Sequence, residues 1–165
     1  MIDQRLKDWL RLEALDGNTS KLYEAISHGQ NSLAFSLSRA HKAHVSSMLD
    51  KFVLYVCPSV MDVGKTLSYF QSYLGDRVAV LRGNDDVLVH RKANGNVNTG
   101  TRCRTLKKIM EGKLDCCIVS AQELMQYYAK PSRLFKAFVN LKVGDSIDLT
   151  EFTDQLVAIG YSREE

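Results

Sequence analysis

Nowhere in the 165 residues do apolar side chains run unbroken for the roughly 18 positions that a membrane-spanning helix takes. The four cysteines, Cys57, Cys103, Cys116 and Cys117, have no CxxC spacing and no histidine cluster beside them. Reduced thiols acting as small hydrophobes are therefore expected, not a metal or disulfide framework. There is no HExxH pattern, so His41 and His44, three apart, lack the third ligand a zinc site requires. No GxSxG elbow surrounds Ser120, which leaves a hydrolase reading without support. Met1 to Leu10 mixes Asp3, Arg5, Lys7 and Asp8 into its apolar positions and so does not read as a signal peptide. The expected setting is the cytoplasm.

What is present is enough for a packed core: 45% hydrophobic residues, with 25% charged ones to keep the surface wet. Gln4 to Ala14 carries Leu6 and Leu10 among charges and predicts a short amphipathic helix, ended by Gly17-Asn18. Leu22 to Ile26 reads as a short first strand, followed by the polar turn Ser27 to Asn31. Ser32 to Leu49 has Leu33, Leu37, Ala40 and Val45 on a helical period. Phe52 to Cys57 is a continuous apolar run, as expected of a strand buried on both faces and closed by Pro58. A helix over Val63–Leu74, a strand over Arg77–Leu81 and a loop over Gly83–Gly95 follow. Next come a helix over Thr99–Glu111 with Cys103, Leu106 and Met110 inward, a strand over Cys116–Val119 and a helix over Ala121–Tyr128. Alternating short strands and helices predict an α/β fold with a parallel sheet flanked by helices.

After Pro131 the texture changes. Phe138–Val143 and Ser146–Asp148, joined at Gly144-Asp145, read as an antiparallel pair. Asp148 and Glu151 then fit a helix-capping box ahead of Phe152, Leu156 and Ile159, with Gly160 at the C-cap. The expected organisation is an N-terminal helix (1–19), an α/β domain (20–137) and the beginning of a small α+β domain (138–165).

The phosphate-binding motif expected of a nucleotide-binding fold is incomplete. Gly64-Lys65-Thr66 follows a strand and opens a helix, the context of a P-loop. The glycine required five residues before Gly64 is Ser59, however. The loop between is bulky and carries Asp62, whose charge opposes a triphosphate. Lys65 is then a surface residue. The turn Gly29-Gln30-Asn31-Ser32 is the other place for such a loop, but it has one glycine and no lysine. Hydrolysis needs both the cradle and an acidic metal holder, so no nucleotide or metal cofactor is expected for this chain.

Charge is uneven. From Arg82 to Lys113 eight Lys/Arg stand against three acids, whereas from Gly144 onward six acids stand against one arginine. Arg104, Lys107 and Lys108, with Arg102 nearby, line one helix as a candidate contact for nucleic acid or an acidic partner.

The order of elements, with particular strings, resembles the N-terminal, UvrB-homologous module of the bacterial transcription-repair coupling factors, the Mfd family. The strings are Gly29…Ser32-Leu-Ala34, Val53-Leu-Tyr-Val-Cys-Pro58, Tyr73-Leu-Gly-Asp76, Arg102…Arg104-Thr-Leu106 and Cys117-Ile-Val-Ser120-Ala. The most specific is Leu141-Lys-Val-Gly-Asp-Ser-Ile-Asp-Leu-Thr-Glu-Phe152, continuing to Leu156 and Gly160-Tyr161. The resemblance covers about residues 20–165. It implies a degenerate P-loop (RecA-like) half whose parent protein displaces stalled RNA polymerase from double-stranded DNA and recruits UvrA for nucleotide excision repair. ATP and Mg²⁺ would serve motor domains lying C-terminal to this region, and the setting would be cytoplasmic and nucleoid-associated. The family's segment tied to UvrA binding falls past Glu165, so weak or no UvrA binding and weak DNA binding are expected. A divergent P-loop NTPase using Lys65 and a weak nucleic-acid-binding module are the two alternatives.

Overall fold

The computed structural model describes residues 17–83, 95–128, 130–132, 134, 138–139 and 141–158. The chain divides into two compact units, Met1–Gln126 and Tyr127–Glu165. The helix expected over Gln4–Ala14, the apolar helix position Ile159 and the C-cap Gly160 lie outside the described residues, as does most of the Gly83–Gly95 loop.

In the first unit a helix α1 spans Gly17–Ser27 and a helix α2 spans Arg39–Ser47. Strand β1 (Val53–Cys57) leads into α3 (Val60–Leu74), and a 3-10 turn at Gly75–Arg77 leads into β2 (Val78–Val80). Helix α4 (Gly95–Met110), strand β3 (Cys116–Ser120) and the single turn α5 (Ala121–Leu124) follow among the described residues. The three strands are parallel in the order β1-β3-β2, so the last strand in sequence is the central one. Register places Val53 and Val78 on either side of Cys116.

One face of the sheet carries the core. Phe70, Val63 and Leu74 of α3 and Ala43 of α2 pack on Cys57, Val78, Cys116 and Ile118. Tyr55 meets Phe70 edge to face with ring centroids 5.0 Å apart, a preferred aromatic geometry. His44 of α2 stacks on Tyr73 of α3 at 5.2 Å. All five residues of β3 are buried. Burial pushes the Cys116 thiol up to about 12 and the Cys117 thiol up to about 11, because a thiolate is disfavoured away from water. Tyr55 is also raised, by burial first and then by the neighbouring thiols of Cys57 and Cys116.

Several elements differ from those the sequence predicts. Gly17-Asn18 begins a helix instead of ending one, and Leu22–Ile26 belongs to α1, not to a first strand. Leu22, Tyr23, Ala25 and Ile26 are its half-buried apolar and aromatic positions. The spacing is helical, and the Tyr23 hydroxyl donates to the Val45 carbonyl at 3.1 Å. The helix expected from Ser32 starts only at Arg39. Ser36 sits at φ 62, which no helix tolerates, and Ser38 caps α2 by accepting the His41 N–H at 3.2 Å. The helix over Ala121–Tyr128 shortens to one turn. Among the described side chains of α4 the buried one is Thr105, whose hydroxyl donates to the Val80 carbonyl at 3.2 Å, while Cys103, Leu106 and Met110 are only half-buried. Strand β1, expected to be covered on both faces, leaves Leu54 47% and Val56 43% exposed. It is an edge strand among the described residues.

In the second unit α6 spans Leu149–Ala158. Asp148 Oδ1 accepts the N–H groups of Thr150 and Glu151 at 2.8 and 3.1 Å, the N-cap that the sequence predicts. The Gly144 turn also forms, at φ 99, with Asp145 Oδ2 accepting the Lys142 N–H at 2.8 Å. The flanking residues are not paired strands: no strand is assigned among the described residues 138–148, and Leu141, Val143 and Ile147 are exposed. A two-stranded ribbon with no third strand or helix over its apolar face is marginal in water.

Candidate functional site

In parallel α/β sheets, ligands bind beyond the C-terminal ends of the strands, where helix N-termini and loop amides converge. Here that edge holds Pro58–Asp62 after β1, Leu81–Gly83 after β2 and Ser120–Glu123 after β3. Each of the three is occupied by the chain's own side chains.

After β1, Ser59 takes up extended backbone and α3 begins at Val60. The Ser59 hydroxyl donates to Asp62 Oδ2 at 2.8 Å, and Arg39 of α2 pairs with Asp62 Oδ1 at 2.8 Å. Asp62 therefore lies in the first turn of α3, where its negative charge favours the positive end of the helix dipole. A carboxylate stands where a nucleotide phosphate would have to approach.

After β2 and β3 a second closure forms around Glu123, a residue only 8% exposed. Its Oε1 accepts the Gly83 N–H at 2.7 Å and its Oε2 accepts the Ser120 N–H at 3.3 Å. The Glu123 N–H in turn donates to the Ser120 hydroxyl at 3.2 Å, completing a capping box at the start of α5. The Ser120 hydroxyl thus serves as a helix cap. Arg102 of α4 donates to Gln126 Oε1 at 3.2 Å beside the same turn. Gly83 has no room for a side chain. A Cβ there would lie 2.5 Å from Gln126 Nε2 and 2.9 Å from Glu123 Cγ.

The P-loop candidates fall elsewhere. Gly64, Lys65 and Thr66 sit in the second turn of α3, past its N-terminus, with Lys65 exposed and Thr66 buried. The Thr66 hydroxyl lies 3.5 Å from the Cys57 thiol, which donates to it. Gly29 to Ser32 follow helix α1, not a strand. The Gly29 N–H donates to the Ile26 carbonyl at 3.1 Å and the Gln30 N–H to the Ala25 carbonyl at 2.9 Å. With Gly29 at φ 72, this is a Schellman cap, and it consumes the amides a phosphate cradle would need. The two candidate loops do not converge on a common site.

The basic stripe is likewise split. Arg104 and Lys108 are exposed one turn apart on α4. Arg102 is engaged with Gln126, and Lys107 lies 4.0 Å from Glu111. Glu111 also meets Lys113 at 2.7 Å, and that hydrogen bond, with the lysine charge, holds its carboxyl below the usual range. His41 Nδ1 lies 3.2 Å from the Ser38 hydroxyl. Among the described residues, no three His, Cys, Asp or Glu side chains are grouped to hold a metal ion, and no helix is long and apolar enough to cross a membrane.

At the opposite, N-terminal edge of the sheet lies a cavity of about 260 Å³ lined by Ser47, Asp50, Lys51, Arg77 and Asp115. Arg77 and Asp115 are ion-paired across it. In the second unit a more open groove of about 390 Å³ has Val139, Leu141, Ile147 and Phe152 beside Asp145, Asp148 and Glu151.

The Glu123 closure was partly legible in advance, since Ser120-x-x-Glu123 after a strand is itself a capping-box pattern. Gly83 and the Arg39–Asp62 pair carry no local signal, because their partners are 40 and 23 positions away in sequence. No protein-family model, curated protein or solved structure matches the chain.

Proposed function

We propose that this chain is a non-catalytic interaction module of the transcription-repair coupling factor type, in which a nucleotide-binding fold is kept as a scaffold after its phosphate site is lost. The observation that carries the reading is the closed C-terminal edge of the sheet. Asp62, held by Ser59 and Arg39, sets a carboxylate in the first turn of α3, and Glu123 accepts the amides of Gly83 and Ser120. The Gly83 and Ser120 donors are already satisfied inside the chain and have nothing to give a triphosphate, and at α3 a carboxylate opposes one. The strings that resemble those of the coupling factors support the same reading, and by that resemblance the assembly's partners are UvrA, RNA polymerase and double-stranded DNA. In that setting the chain contributes surface, and ATP chemistry belongs to motor domains of the parent protein.

The divergent NTPase alternative loses ground because Lys65 lies one turn past the helix start. The nucleic-acid alternative keeps two exposed cations, Arg104 and Lys108, which fit weak, salt-sensitive phosphate contacts and no base readout. The direct test is thermal melting with ATP and Mg²⁺. A ligand at 100 times its Kd adds about 2.7 kcal/mol of stability. No upward shift is expected in the wild type. An increase in melting temperature that disappears in Lys65→Ala would overturn the reading. Calorimetry against UvrA tests the partner, with weak binding expected.

A further inference from the structure

We draw no further inference here: the strongest candidate, the cavity of about 260 Å³ at the N-terminal edge of the sheet, sets Asp50 and Asp115 against Lys51 and Arg77 with Arg77 already paired to Asp115, and nothing in the structure shows what would fill it.

Discussion

Strands β1 and β3 are both five-residue, largely apolar runs, Val-Leu-Tyr-Val-Cys and Cys-Cys-Ile-Val-Ser, yet every residue of β3 is buried while β1 leaves Leu54 and Val56 exposed. The difference lies in position. β3 returns between β1 and β2 and receives a strand on each side, whereas β1 has only one strand neighbour among the described residues. Apolar composition sets the tendency to be buried; strand order sets how far that tendency is satisfied. The same five-residue pattern therefore supplies stability in one place and an available surface in the other.

The contrast can be broken by substitution. Ile118→Ala in β3 should cost about 2–5 kcal/mol in urea unfolding, because it removes fully buried methyl groups and leaves a cavity in the core. Val56→Ala in β1 should cost under about 1 kcal/mol in the same assay, since its side chain is partly solvated already. Comparable losses at the two positions would mean that β1 is as buried as β3. At the closed edge, Glu123→Ala leaves the Gly83 and Ser120 amides without their acceptor and should cost about 2 kcal/mol. Gly83→Ala forces Glu123 and Gln126 to move and should cost about 1–3 kcal/mol. The substitution Lys65→Ala should stay within about 0.5 kcal/mol of the wild type, as expected for an exposed helix position.

A pH experiment sharpens the same contrast without a mutation. The Cys116 and Cys117 thiols are raised from 9.0 to about 12 and about 11 by burial, so the folded chain keeps protons that the unfolded chain loses. Their contribution is fully present below pH 9 and is lost as pH rises toward 12. The denaturation midpoint should fall across that window. Alkylation of these two thiols at neutral pH should be slow and should proceed only as fast as the chain opens. Rapid labelling of Cys116 or Cys117 in the folded chain would contradict the burial of β3.

The sequence and the structure agree most closely where the signal is local. The run Cys116–Val119, the helix through Leu67, Phe70 and Leu74, and the Asp148 cap were all legible, because periodicity and capping chemistry act within a few residues. Between Gly17 and Leu49 the sequence was misread where two local signals compete. Leu22, Tyr23 and Ile26 fit a short apolar strand by run length and a helix by spacing, and the contact of Tyr23 with the Val45 carbonyl sides with the helix. The Ser38 cap and the φ of Ser36 likewise outweigh the helical period that begins at Leu33. In the second unit the runs Phe138–Val143 and Ser146–Asp148 predicted paired strands, but among the described residues 138–148 no strand forms and Leu141, Val143 and Ile147 are exposed. A pattern of exposed apolar residues is a demand for burial, and nothing within the pattern meets it.

The sequence by itself determined the α/β alternation, the incomplete P-loop at Ser59 and the caps at Ser120 and Asp148. Each follows from residue type over a short span, through steric limits, hydrogen-bonding groups and helical or extended periodicity. Only the tertiary structure decided that β3 lies between β1 and β2, that Arg39 reaches Asp62, and that Glu123 meets Gly83. Those are pairings across 23 to 63 positions of chain, selected by which surfaces can be buried together and which buried amides need an acceptor. No window of sequence contains both partners, so the closed edge appears only once the sheet is assembled.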